Sequence, residues 1–362
     1  MSVQGSLCSP VRRLASLASA GVARLGLARC GCAIALLATL IVSGCNDAPE
    51  ASSMKSAPAN EVSPAPPSAS EAPAQATSPQ PKAKAESAAR FDSARAWTHL
   101  QKQVALGPRP SGTPALVQNR KYIVDQLKGI GIESREQAFI GMTPLGEVSI
   151  ANVIATIPGK RPDRIAIASH FDTKLFREFR FVGANDGASS TAALLELARA
   201  LKPRQNEFTI ELLFFDGEEA RMTEWRGLDN TYGSRHYVED AVKSGSIRGL
   251  KTLILLDMIG DKNLNIRRDS NSTPWLVDII WGTAAKLGHT SEFPTELTIV
   301  EDDHIPFLRA GVPSVDVIDL DNPTWHTAQD NIENVSVKSL QIVGDVIVAA
   351  FPEIEKRLAA AR

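Results

Sequence analysis

Five places in this chain carry side chains able to hold a metal ion or move a proton. They are His170-Phe171-Asp172-Thr173-Lys174, Gly183-Ala184-Asn185-Asp186-Gly187, Asp216-Gly217-Glu218-Glu219, Asp257, and Trp325-His326-Thr327. Taken singly, each has an ordinary structural use. His170 would serve as a satisfied core histidine and Asp172 as a turn acid, and Asp186, just ahead of a Ser-rich helix start, would serve as a cap. The Glu218-Glu219 pair is harder to dismiss. Two adjacent carboxylates at the end of a buried strand repel each other and lose hydration, so something cationic should compensate them. A divalent metal would do so, with one Glu ligating and the other facing the reacting group.

The cysteines narrow the ligand choice. All four (Cys8, Cys30, Cys32 and Cys45) precede residue 46, so a metal site in the rest of the chain must use Asp, Glu and His. An imidazole (His326) with two carboxylates (Asp186 and Glu219) and an open fourth position is a normal catalytic zinc set. Calcium would take more oxygens and no histidine. The spacing Asp186…Glu219…His326 is long-range and carries no local motif.

These residues need elements to position them, and the hydrophobic pattern supplies candidates. It predicts helices over 92–106, 117–128, 189–201, 232–243, 274–287, 303–309 and 337–358. It predicts strands over 146–157, 164–169, 208–215, 252–258 and 314–318. Ile165-Ala166-Ile167-Ala168 and Leu253-Ile254-Leu255-Leu256 are apolar on both faces, as central strands covered by helices on each side must be. Alternating strands and helices imply one α/β domain over 91–362, with a central mixed, mostly parallel sheet flanked by helices. In such sheets ligands bind beyond the carboxyl ends of the strands. Four of the five clusters follow a predicted strand and the fifth precedes a helix, which together read as a metal site.

Composition limits the remaining classes. The 362 residues include 39 Lys and Arg against 41 Asp and Glu, a formal charge of −2, with no basic footprint for nucleic acid. Arg12, Arg13, Arg24 and Arg29 precede an apolar run from Cys32 to Val42, too short for a permanent membrane span and suited to a secretory leader. The run ends Val42-Ser43-Gly44-Cys45, which resembles the bacterial lipoprotein cleavage box. Residues 1–44 are therefore expected to be a signal peptide and Cys45 an acylated anchor, placing the protein on the cell envelope. Residues 45–90, rich in Ala, Pro, Ser and Glu, are expected to form a disordered linker of roughly 35 Å.

The clusters, in their order, resemble the zinc-aminopeptidase superfamily and, within it, the glutaminyl-peptide cyclotransferases. The resemblance runs from about Asp92 to Val348. It rests on His170 to Lys174, Gly183 to Asp186, Phe215 to Ala220, Tyr232-Gly233-Ser234-Arg235-His236, Leu256 to Gly260, Asp302-Asp303-His304-Ile305-Pro306-Phe307-Leu308, and Trp325-His326-Thr327. Lys174, Trp225, the Asp302–Leu308 run and Trp325 are more particular to the cyclases; the other motifs are shared with the aminopeptidases.

Carried over residue by residue, the resemblance implies a zinc-exopeptidase-like fold with Asp186, Glu219 and His326 as ligands of one zinc. It implies Glu218 as the acid/base, assisted by Asp257 and Asp302, and a pocket lined by Trp225 and Trp325. In two-metal aminopeptidases the positions of His170 and Asp257 bind a second ion. The implied reaction converts N-terminal glutamine of peptides or proteins to pyroglutamate with release of ammonia; the competing expectation is a secreted zinc aminopeptidase. A lipid-anchored binding protein without activity is a third reading, against which the complete set Asp186, Glu218, Glu219 and His326 counts. Two departures stand out. Asp316 occupies the place of a histidine in animal-type cyclases, and the paired cysteines of the animal enzymes are missing. Trp97, Trp275 and Trp281 fall in helical patterns and are expected to pack rather than line the pocket.

Overall fold

The computed structural model describes residues 90–360. The expected leader, the Cys45 anchor and nearly all of the linker lie outside the described residues. Within them, helices α1 (Ser93–Ala105) and α2 (Pro114–Gly129) precede strands β1 (Ser134–Thr143), β2 (Gly146–Ile157) and β3 (Arg161–His170). Then follow α3 (Ala188–Leu201), β4 (Phe208–Phe215), α4 (Tyr232–Ser244) and β5 (Leu250–Asp257). The rest comprises β6 (Arg268–Asp269), α5 (Pro274–Lys286), β7 (Leu297–Thr298), α6 (His304–Arg309), β8 (Ser314–Ile318) and α7 (Val337–Ala360).

Six strands form the central sheet in the order β1-β2-β4-β3-β5-β8, and β6 pairs with β7 separately. β4, β3, β5 and β8 run parallel, and β2 is antiparallel to both β1 and β4. The mixed, mostly parallel sheet matches the expectation. Three strands lie outside the expected set: the two-residue β6 and β7, and the ten-residue β1. β1 is an edge strand with a single buried residue, so no run of apolar residues marks it.

Alternation along the central strands explains their double-sided hydrophobicity. Ile165 and Ile167, Ile210, Leu212 and Phe214, and Ile254 and Leu256 enter the larger core, together with residues of α1, α2, α3, α5 and α7. Their neighbours Ala166, Ala168, Leu213, Phe215, Leu253 and Leu255 meet Tyr237, Val238 and Ala241 of α4 and Phe307 of α6 on the other face. Successive side chains of a strand point to opposite faces, so both layers need apolar partners. Each fully buried Leu, Ile or Phe contributes about 1.5–3 kcal/mol relative to exposure. The outcome for function is directional. Because four strands run the same way, their carboxyl ends, and the loops leaving them, share one edge of the sheet.

Candidate active site

β3 ends at His170 and delivers Asp172; β4 ends at Phe215 and delivers Glu218 and Glu219. β5 ends on Asp257, and the segment after β8 brings His326. Asp186 lies in the loop between β3 and α3. Its expected alternative, a cap for α3, is not what the structure shows. The N-cap is Gly187, and no side chain caps the helix among the described residues. Gly187 also has φ +84°, and a Cβ there would meet the Asp172 carbonyl oxygen at 2.6 Å, so the loop is compressed against the β3 exit.

The three expected ligands converge. His326 Nε2 lies 3.4 Å from Asp186 Oδ2 and 3.4 Å from Glu219 Oε2. Three atoms bound at about 2.0–2.1 Å to one tetrahedral zinc would stand about 3.3–3.4 Å apart. The same atoms want a cation for a second reason. Asp186 Oδ2 and both Glu219 oxygens are buried with no hydrogen-bond partner among the described residues. Charge agrees. Burial, then the neighbouring Asp186 carboxylate, pushes the Glu219 carboxyl up. His326 loses some proton affinity to burial, but the facing Glu219 and Asp186 carboxylates outweigh this and raise it to about 10. Where no metal is present, a proton on the imidazole supplies the missing positive charge. The donor set fits a zinc-sized dication.

A second group shares Asp186. His170 Nε2 is 3.2 Å from Asp186 Oδ1 and 3.1 Å from Asp257 Oδ1, and these three also lie within metal-binding reach of one another. Met258, next in the chain, sits at φ +45° with its N–H donating to Asp257 Oδ1 at 2.7 Å. Non-glycine residues seldom adopt that conformation, and such strain gathers at functional sites.

Glu218 and Glu219 are held by the acid expected to serve only a turn. Asp172 Oδ1 accepts from the Glu218 N–H at 3.2 Å and Oδ2 from the Glu219 N–H at 3.4 Å. Its turn-acid alternative is therefore half right: it is structural, and what it structures is the site. Asp216, the first acid of its motif, turns the other way. It accepts from Ser111 Oγ at 2.6 Å and from the Ala151 N–H at 2.9 Å, locking the loop to β2. Burial and the nearby Asp172 carboxylate raise Asp216 to about 7.

A cavity of ≈ 310 Å³ opens over the cluster. Its lining includes Asp186, Glu218, Glu219, Asp257, Asp302 and His326, together with Trp225 and Trp325. Trp325 is 42% exposed and stacks on His326, with ring centroids 4.4 Å apart. Phe176 and Phe181 meet the His326 ring edge-on, at 5.6 and 5.9 Å. Lys174 Nζ is 3.7 Å from Glu219 Oε2 and donates to the Ala220 carbonyl. Burial raises Glu218 well above the usual carboxylate range; the His170 charge opposes this and the Asp302 charge adds to it. Asp302 is raised to about 6, by burial and then by Asp257. The expected packing roles of the other tryptophans hold. Trp281 is buried with its indole N–H on the Pro294 carbonyl, and Trp97 and Trp275 pack against the core.

The residue standing in place of the animal-type histidine does not reach the pocket. Asp316 is buried in β8, 3.6 Å from Nδ1 of the equally buried His304, whose Nε2 is 3.2 Å from Asp269 Oδ2. It belongs to an acid network behind Asp302, so its contacts are with protein, not with substrate.

Sequence comparison agrees with this geometry. The pattern described as Peptidase family M28 matches residues 152–351, from the middle of β2 into α7. The chain belongs to peptidase family M28. Its relatives include glutaminyl-peptide cyclotransferases. It is 31% identical over 294 residues to a glutaminyl-peptide cyclotransferase-like protein of Bos taurus, covering 73% of this chain and 76% of that one. It superimposes on a crystal structure of an Acidobacteriales bacterium glutaminyl cyclase with TM-score 0.72 and 37% identity, over 77% of this chain and all of that one. A Porphyromonas gingivalis glutaminyl cyclase follows with TM-score 0.67 and 28% identity, over 73% and 99%.

Proposed function

We propose that this protein is a zinc-dependent glutaminyl-peptide cyclotransferase, closing N-terminal glutamine of peptides or proteins to pyroglutamate with release of ammonia. The observation that carries the reading is the convergence of Asp186, Glu219 and His326 beneath a pocket walled by Trp225 and Trp325, with Glu218 free alongside. Likeness to named glutaminyl cyclases over most of the described chain supports it.

Asp186, Glu219 and His326 would hold the zinc, which when bound polarises the γ-amide carbonyl of the substrate. In the reaction the substrate's α-amine nitrogen bonds to the side-chain amide carbonyl carbon (Cδ), and the bond from that carbon to the amide nitrogen breaks. Glu218 takes a proton from the amine and returns it to the departing nitrogen, so the enzyme ends as it began. That double role needs a carboxyl whose proton affinity lies above the usual carboxylate range, as burial arranges at Glu218. Asp257 and Asp302 assist by keeping the local field negative, which favours the proton's stay on Glu218. The tryptophan walls hold the flat glutaminyl group and exclude water. Because nucleophile and electrophile belong to one residue, the protein has only to fold the substrate back on itself.

One observation favours a second reading. The group formed by His170, Asp186 and Asp257 is what a two-ion aminopeptidase would use. The two readings part on incubation with a glutaminyl peptide while metal content is counted. A product lighter by one ammonia, with chain length unchanged, establishes cyclisation. Release of free amino acids with two ions per chain sinks it.

The membrane attachment expected at Cys45, and export to the cell envelope, remain part of this proposal. Radiolabelled fatty acid incorporated by the wild type but not by C45S would support the anchor.

A further inference from the structure

All three expected cation ligands stand on loops outside the sheet, and Asp186 and His326 lie farthest from a strand exit. Asp186 follows a glycine turn at Gly183 (φ +50°), and His326 lies between β8 and α7 with its own backbone at φ +54°, a conformation L residues resist. Something must hold these loops at the spacing a cation needs. Asp330, four residues after His326, is buried to 1% exposure and crosses from one loop to the other. Its Oδ1 accepts from the Asn185 N–H at 2.6 Å and its Oδ2 from the Asp186 N–H at 3.0 Å. Its own N–H donates to the Thr327 carbonyl at 3.2 Å, closing a turn immediately after His326. The Asn185 side chain extends the tie by accepting from the Gly260 N–H at 2.7 Å, beyond the Asp257 exit.

We propose that Asp330 is a positioning residue that straps the His326 loop to the Asp186 loop and so presets the distance between two cation ligands. The choice of a carboxylate is informative. A single carbonyl oxygen would satisfy one buried N–H, whereas two adjacent N–H groups pointing the same way are matched by two acceptors on one planar group. An anion here is costly, since it lies near Asp186, and the fold offsets it with Arg109. That guanidinium is wholly buried and donates to the Val182 and Gly183 carbonyls at 2.8 and 3.3 Å, beneath the same loop. Neither Asp330 nor Arg109 makes any contact that a ligand role would require: Asp330 spends both oxygens on backbone donors.

This inference rests on reading Asp186, Glu219 and His326 as a zinc site, and the test separates the two. D330N in the full-length chain keeps the shape but turns one acceptor into a donor facing an N–H. Zinc affinity would be measured by competition with a chromophoric chelator, and melting temperature with and without zinc. The visible spectrum of the cobalt-loaded protein would report ligand geometry. Loss of an outer partner of a metal ligand weakens binding about 10–100-fold. The expected result is a loss of that order, a smaller zinc-induced rise in melting temperature than in the wild type, and an altered cobalt spectrum. Equal drops in melting temperature with and without zinc, at unchanged affinity, would make Asp330 a fold residue and overturn the proposal. If D330N fails to fold, T327V loosens the same turn, because the Thr327 hydroxyl donates to the Thr324 carbonyl at 2.7 Å and accepts from the Gln329 N–H at 3.2 Å. A weaker zinc site in T327V supports the strap, and wild-type affinity there removes it. Absence of zinc binding by the wild type would instead refute the metal site itself.

Discussion

Glu218 and Glu219 are neighbours in sequence with opposite assignments, and their surroundings explain the division. Glu219 faces His326 and Asp186, while Glu218 has His170 Nδ1 at 3.8 Å and the open pocket before it. Replacing Glu218 by Gln should therefore leave zinc bound, as read by metal analysis, while kcat falls about 10²–10⁴-fold, the usual worth of a positioned acid/base. Glu219→Gln should do the reverse in order, losing metal first and activity with it. Retention of full metal by E219Q would reassign the pair. Trp325 offers a distinct readout. It is exposed, rests on the His326 ring and lines the cavity, so W325A should raise KM for glutaminyl peptides more than it lowers kcat. A fall in kcat at constant KM would show that its service is to His326 and not to substrate.

At the level of elements, the site depends on strands that end together and on helices that pin them. α1 covers the larger core and carries His99, whose Nδ1 is 2.7 Å from the Tyr122 hydroxyl of α2. Burial, then Arg95, lowers its pKa from 6.5 to about 4. The sign follows directly. Between those values the unfolded chain binds a proton that the native protein refuses, so stability is complete above about pH 6.5 and is lost as pH falls towards 4. Melting temperatures of the wild type should decline through that window, and H99Q should decline less steeply. Parallel curves for the two proteins would show that His99 is not a source of the loss.

For the whole molecule, the described residues carry both cores, the sheet and every candidate site residue. The domain reading predicts that a chain beginning at Arg90 keeps the melting temperature of the full protein and a kcat/KM within about twofold, since both cores and the candidate site lie within residues 90–360. A large fall in stability on removing residues 1–89 would place part of the fold upstream.

The sequence alone determined which strands are central, because a strand covered on both faces must be apolar at every position, and the segments from Ile165 and Leu253 are. It also determined the chemistry available: with no cysteine after Cys45, only acids and imidazoles remained to bind metal, and their positions at strand exits marked the edge where they would meet. β1 stayed hidden because an edge strand facing solvent owes nothing to hydrophobic pattern. Tertiary structure alone removed capping at Asp186 and set its carboxylate beside His326, since a cap and a ligand both place an acid before a helix and differ only in what the carboxylate faces. It decided likewise that Asp316 belongs to a buried network and not to the pocket. Asp330 and Arg109 were silent in the chain, and the service of Asp172 to Glu218 and Glu219 was hidden, because each acts through backbone N–H or carbonyl groups distant in sequence, and a backbone partner leaves no trace in residue type.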